Sequence, residues 1–120
     1  MVLYFAYGSN MDLDRIKSRG VVIKRRFSGI LFGWKLLFNK IKDMSEGTGY
    51  ANIISNKNSK VEGIIYEIDK QFIKNLDRAE GYPHHYTKKI LIIKDKYGKK
   101  FDCIVYIANP EMIKDGLRPT

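Results

Sequence analysis

Tyr4-Phe5-Ala6-Tyr7-Gly8-Ser9-Asn10-Met11 carries the chain from a strand into a helix within a few residues. The apolar, aromatic run at 2–7 has strand character. Gly8 breaks it. Ser9 and Asn10 are of the types whose side-chain oxygens accept from the exposed N–H groups at a helix start. Leu13 and Ile16 then lie on one helical face, and Gly20 is a fitting stop. A strand–turn–helix of this kind gathers unpaired backbone N–H groups beside the positive end of a helix. That suits a carboxylate or a developing oxyanion. Such turns are also common as plain connectors, so the stretch alone names no function.

Working outward, residues 21–32 read as one long or bulged strand with Gly29 as the bend. Gly33 suits a tight turn, and 34–39 reads as a further strand. Asp43, Ser45, Gly47 and Gly49 make 40–49 loop-like, 50–54 is a short strand, and 56–60 is polar turn material. Residues 61–68 form a strand buried at its centre. Asp69 is placed to cap a helix whose apolar face is Phe72, Ile73, Leu76 and Ala79; Gly81 ends it and Pro83 prevents its resumption. Residues 86–94 and 101–107 are strands joined by a hairpin turn at Asp95-Lys96-Tyr97-Gly98. The tail from Asn109 holds at most one helical turn. About six strands and two short helices predict an α+β fold: one domain over 1–120, a mostly antiparallel sheet curled into a barrel.

A chain of 120 residues with 44% apolar content can bury one core. It has no apolar run of the roughly 20 residues that span a bilayer. The amino end has neither a basic region nor a cleavage-site pattern, so no secretory signal is read there. Cys103 is the single cysteine, which excludes an internal disulfide and a cysteine-rich metal site. A cytoplasmic protein is expected. The net charge of +9 comes mostly from dispersed lysines. With no arginine cluster or nucleic-acid motif beside them, they read as a solvated surface that also guards strand edges. Nucleic acid is therefore not the expected partner, although polyanion binding is a testable alternative with steep salt dependence.

Among possible reactive groups, Glu80 carries the most information. It stands at the last helical residue, against the negative end of the helix dipole, where an anion is disfavoured by about 0.3–1 kcal/mol even at the surface. Burial would raise its pKa further, and a carboxyl near neutrality can accept a proton and later return it. A surface glutamate at a frayed end is the bland alternative. Asp77, three residues earlier, could cap or pair with Arg78 or Lys74. His84 and His85 point oppositely in an extended segment and make a poor metal pair. Ser9 lacks a sequence-evident His and Asp for a triad, so it reads as a cap and backbone donor. Cys103 reads as a small core residue. Tyr4, Tyr7, Tyr50, Tyr66, Tyr86 and Tyr106 read as core or pocket lining.

The motif Tyr7-Gly8-Ser9-Asn10-Met11 after an amino-terminal strand resembles the Y-G-S-N signature of the gamma-glutamylcyclotransferase-like (AIG2-like) family. Further blocks agree in order: Gly33-Trp34 with a strand to Phe38; Gly49-Tyr50-Ala51-Asn52-Ile53; Val61-Glu62-Gly63-Ile64-Ile65-Tyr66-Glu67-Ile68; Leu76-Asp77-Arg78-Ala79-Glu80-Gly81-Tyr82-Pro83 with Tyr86; and Val105-Tyr106. The resemblance implies a mixed barrel with a cavity at its mouth, walled by Tyr7, Gly8, Ser9 and Asn10. It implies a small-molecule gamma-glutamyl substrate, cyclised to 5-oxoproline with release of an amino acid or amine. Glu80 would be the general base and acid, the Gly8, Ser9 and Asn10 amides would hold a carboxylate or oxyanion, and Tyr86 and Tyr106 would line the pocket. Neither metal nor cofactor is implied. The family commonly continues past the position of Arg118-Pro119-Thr120, so the pocket is expected to be more open here, or covered by a partner subunit in a homo-oligomer. A non-catalytic small-molecule binding domain of the same fold is the alternative.

Overall fold

A computed structural model of the chain describes residues 1–43, 48–110 and 118–119. Among the described residues the order is β1 (Val2–Ala6), α1 (Leu13–Ser18), β2 (Ile23–Asp43), β3 (Thr48–Ile68), α2 (Ile73–Glu80), β4 (Tyr86–Lys94), β5 (Lys100–Ala108) and β6 (Arg118–Pro119). Single turns of 3-10 helix at Ser9–Met11 and Lys70–Phe72 lead into the two helices.

β1 closes the barrel. It pairs antiparallel with β3, Val2 opposite Ile68 through Ala6 opposite Ile64, and parallel with β5 at Tyr4–Ile104. The antiparallel pairs β5–β4, β4–β2 and β2–β3 complete the circuit. Five strands therefore form a closed, mixed barrel without a free edge around its wall. The expected α+β barrel with two short helices is observed.

The period of two along β1 divides the core into two layers. Leu3, Phe5 and Tyr7 join Leu31, Ile53, Val61, Ile65, Ile93, Cys103 and Val105 inside the barrel. Tyr4 and Ala6 face outward, with Tyr66, Ile68 and Tyr106, to pack against Ile16 of α1 and Leu76 of α2. Ile16 and Leu76 are both fully buried. Each contributes about 2–3 kcal/mol by leaving water, which matters because helices of six and eight residues are too short to hold by propensity alone.

Several local expectations need correction. The strands expected at 21–32 and 34–39 are one, β2, and Gly33 is a bulge at φ 85° rather than a turn. Most of 40–49 is strand instead of loop: Lys40 pairs with Tyr50, Ile41 with Gly49 and Asp43 with Thr48. The polar stretch 56–60 lies within β3. Phe32 pairs with Lys60 and Trp34 with Ser55, so residues 56–59 stand opposite Gly33 alone. The Asn58 amide bonds the Asn56 side chain there (3.1 Å), a turn made locally inside a longer pairing. The cap of α1 is Asp12, whose Oδ1 accepts from the amides of Asp14 (2.9 Å) and Arg15 (3.4 Å); Ser9 and Asn10 do not cap it. Asp69 precedes the 3-10 turn and makes no side-chain cap bond. Arg118–Pro119 pairs parallel with Thr48 and Gly49. The helical turn expected in the tail falls on 111–117, and the Tyr50 side chain was expected in the core or pocket; both lie outside what is described.

Other expectations hold. Gly81 ends α2 at φ 66°, its amide bonding the Arg78 carbonyl and that of Tyr82 reaching back to Asp77. The turn after β4 is closed by Asp95, whose side chain accepts from the amides of Tyr97 and Lys99, both at 2.9 Å. Cys103 is fully buried in β5.

Candidate functional site

The 3-10 turn after β1 crosses the barrel rim, and the side chains on either end of it part company. Tyr7 stays inside, its hydroxyl donating to the Tyr106 carbonyl. Gly8 lies against β3: a Cβ there would come within 3.3 Å of the Ala51 Cβ. The Ala51 carbonyl in turn accepts from the Tyr86 hydroxyl (2.8 Å). Ser9 is exposed. Asn10 turns outward beneath the helices and is 2% exposed.

α2 arrives from the other direction. Leu76 anchors it, and the Gly81 stop leaves Glu80 at its end, half-buried. The Asn10 Nδ2 donates to Glu80 Oε1 at 3.4 Å and to the Tyr4 hydroxyl at 3.0 Å. Residues 70 apart in sequence thus meet across the rim. The Asn10 backbone is held from below by the Tyr66 hydroxyl, which donates to the Asn10 carbonyl (2.7 Å).

Tyrosines surround this meeting point. Burial pushes the hydroxyl of Tyr4 far up, and the Glu80 charge adds to it. Tyr7 is raised by burial, then by Tyr86 and Glu80. Tyr106 is raised by burial and by its bond to Asp77. All three stay protonated near neutral pH and act as hydrogen-bonding groups, not bases. Asp77 is the second carboxylate nearby. Its Oδ1 accepts from Tyr106 (2.6 Å), and the Lys88 ammonium lies 3.0 Å from its carboxylate. It does not pair with Arg78 or Lys74 as expected, because β4 brings Lys88 alongside α2.

Glu80, Tyr7, Gly8, Asn10, Tyr86 and Tyr106 therefore converge on one end of the barrel, while the Ser9 side chain points to solvent. The amides of Gly8, Ser9 and Asn10 donate to no acceptor among the described residues. His84 and His85 are exposed, and among the described residues no group of three His, Cys, Asp or Glu could hold a metal. Lys88 and Arg19 carry no sequence signal as participants, whereas Tyr4, read as core or pocket lining, and Asp77, read as a cap or ion-pair residue, take part with other partners. Period two along β1 places Tyr4 on the Ala6 side, but nothing in the sequence alone says that side faces α2. A cleft of about 530 Å³ opens beside Met11 between Ser28–Ile30 and Glu62–Ile64, and Glu80 does not line it.

The model of the family described as gamma-glutamyl cyclotransferase, AIG2-like, matches residues 4–119. The chain belongs to this family. Its likeness to the gamma-glutamylcyclotransferase of Mus musculus is 32% identity over 109 residues, covering 88% of this chain and 58% of that protein. For the protein of the same description from Bos taurus it is 29% over 108 residues, covering 87% and 57%. The chain thus spans under three fifths of the length of these curated relatives. A solved gamma-glutamyl cyclotransferase superposes with a TM-score of 0.77 at 27% identity, over 90% of this chain and 66% of that one. An AIG2-like protein from Mus musculus shares the fold at TM-score 0.66 and 23% identity, over 98% and 94%. Among the described residues, no helix of this family member is long and apolar enough to cross a membrane.

Proposed function

We propose that this AIG2-like chain is a cofactor-free cyclotransferase: it converts a gamma-glutamyl amino acid or amine to 5-oxoproline and releases the amino acid or amine. The observation that carries the reading is the meeting of Asn10 and Glu80, which puts a carboxylate beside the family loop. Glu80 takes a proton from the substrate's α-ammonium. The freed nitrogen attacks the γ-carbonyl carbon and forms the five-membered ring. As the bond from that carbon to the leaving nitrogen breaks, Glu80 hands its proton to the departing group. The ring nitrogen gives up a second proton, which also ends on the released amine. Attack and leaving group belong to one molecule, so holding it folded supplies much of the acceleration. The amides of Gly8, Ser9 and Asn10 are suited to hold the oxyanion or the substrate carboxylate. Tyr86 and Tyr106 shape the wall. The protonated tyrosines around Glu80 support its role, because they leave it as the proton acceptor of the cluster while Asp77 is tied to Lys88.

The test is release of 5-oxoproline from a panel of gamma-glutamyl amino acids and amines. Glu80→Gln is expected to lower kcat by roughly 10²–10⁴-fold with the fold intact. No product from the wild type, or full activity in Glu80→Gln, would overturn the reading. Ligand retention without turnover would point instead to a binding domain on this scaffold.

A further inference from the structure

The orientation of the Asn10 amide is set by a residue that touches neither Glu80 nor the loop backbone. Arg19, just after α1, places Nη1 2.7 Å from the Asn10 side chain. A guanidinium has donors only, so the Asn10 atom it meets is the carbonyl oxygen. The amide NH₂ must then face the other way, and there it meets the Tyr4 hydroxyl at 3.0 Å and Glu80 Oε1 at 3.4 Å. Every polar position of this buried amide is used. Arg19 is itself held: the Asn75 Nδ2 donates to its backbone carbonyl at 3.0 Å. Asn75 and Glu80 belong to the same helix, so residues 75, 19, 10 and 80 close a hydrogen-bonded circuit from α2 through α1 to the loop and back.

We propose that Arg19 is a positioning residue for Glu80, acting through Asn10, and that this circuit fixes which face of the amide the carboxylate sees. The inference rests on the reading of Glu80 as the proton acceptor. An NH₂ facing Glu80 favours its ionised form, the form that can take the substrate's proton. Turned by half a rotation, the amide would offer an oxygen and favour the protonated acid, which cannot.

The test follows the side-chain ¹³C carboxyl signal of Glu80 by NMR across pH, assigned by its loss in Glu80→Gln. Arg19→Met is expected to raise the titration midpoint by about one unit. Part of any such shift comes from lost charge, so the same substitution is made on Asn10→Ala, where no amide remains to be turned. The expected shift there is less than about half as large. Arg19→Gln keeps a donor and removes the charge; its midpoint should lie nearer the wild type than Arg19→Met does. Among the described residues, Tyr4 of β1, Tyr7 just past it and Tyr106 of β5 feel the Glu80 charge, and Tyr106 bonds Asp77 of α2, which pairs with Lys88 of β4; all are left in place. Equal shifts with and without Asn10, or identical midpoints for Gln and Met, would overturn the proposal. Should Arg19→Met not fold, Arg19→Leu, which also lacks a donor, compared in the two backgrounds carries the same decision. The readout needs no substrate, so a wild type that makes no 5-oxoproline defeats the cyclotransferase reading separately. Where turnover is measured, the acid limb of the Arg19→Met profile should move up by the same unit.

Discussion

Gly63→Ala tests how tightly the loop is set by the barrel beneath it. Gly63 stands opposite Gly29 in the β2–β3 pairing; its missing side chain makes room for the Phe5 ring, which is 1% exposed, while that of Gly29 makes room for Ile65 and Ile93. A Cβ on Gly63 would overlap the Ala6 carbonyl oxygen and stand 2.8 and 2.9 Å from two atoms of that ring, where ordinary contact is 3.4–4 Å. One obstacle is backbone, which cannot rotate away, so the cost falls at the upper end of overpacking, about 3 kcal/mol. For a chain of this size that lowers Tm by roughly 12 °C. Ala6 immediately precedes the loop, and its displacement travels to Asn10. Activity measured below the melt should therefore fall by at least about tenfold, since a misplacement on the order of 1 Å can cost 10²-fold. The matched control is Gly33→Ala, where nothing lies within 4 Å but φ is 85°. That variant loses only about 1 kcal/mol to backbone strain. Melting curves and 5-oxoproline release decide the matter. A Gly63→Ala protein that melts with the wild type, or melts higher than Gly33→Ala, would refute the reasoning.

Asp12→Ala removes the α1 cap and should cost about 1 kcal/mol in a denaturant melt, whereas Ser9→Ala should cost nothing measurable by that route. The thiol of Cys103 is pushed from its ordinary 9.0 up to about 12 by burial, then by Asp102. At pH 8 the folded protein should resist alkylation that proceeds readily in denaturant, as mass spectrometry would show. Because the folded pKa is the higher one, the associated stability is whole below pH 9 and drains as pH climbs from about 9 to 12; a stability that rises across that window would contradict it.

Local chemistry was legible wherever a residue's own backbone needs decided the outcome. Gly81 with Pro83, and Asp95 with Gly98, could be read directly because a left-handed stop and a turn each require particular residue types. The cap of α1 was a different matter. Ser9 and Asn10 were the candidates read, but Asp12 has the same chemistry, and tertiary structure decided by drawing Asn10 beneath the helices. Residues 56–60 look like a turn and make a local turn bond, yet the pairing of Trp34 with Ser55 and of Phe32 with Lys60 carries the strand past them. Glu80 could be singled out from its place at a helix end. Arg19 could not, because its meaning depends on where the fold delivers Asn10, and Lys88 reaches Asp77 only once β4 lies beside α2.

The strand that closes the barrel is synthesised before both of the strands it pairs with. Its neighbours are completed only when Ile68 and Ala108 have been added. At ordinary elongation rates, the wait from Ala6 to Ala108 lasts about 5–20 seconds. Throughout it, Leu3, Phe5 and Tyr7 lack the walls they will later pack against, and the loop that carries Asn10 has no finished barrel beneath it.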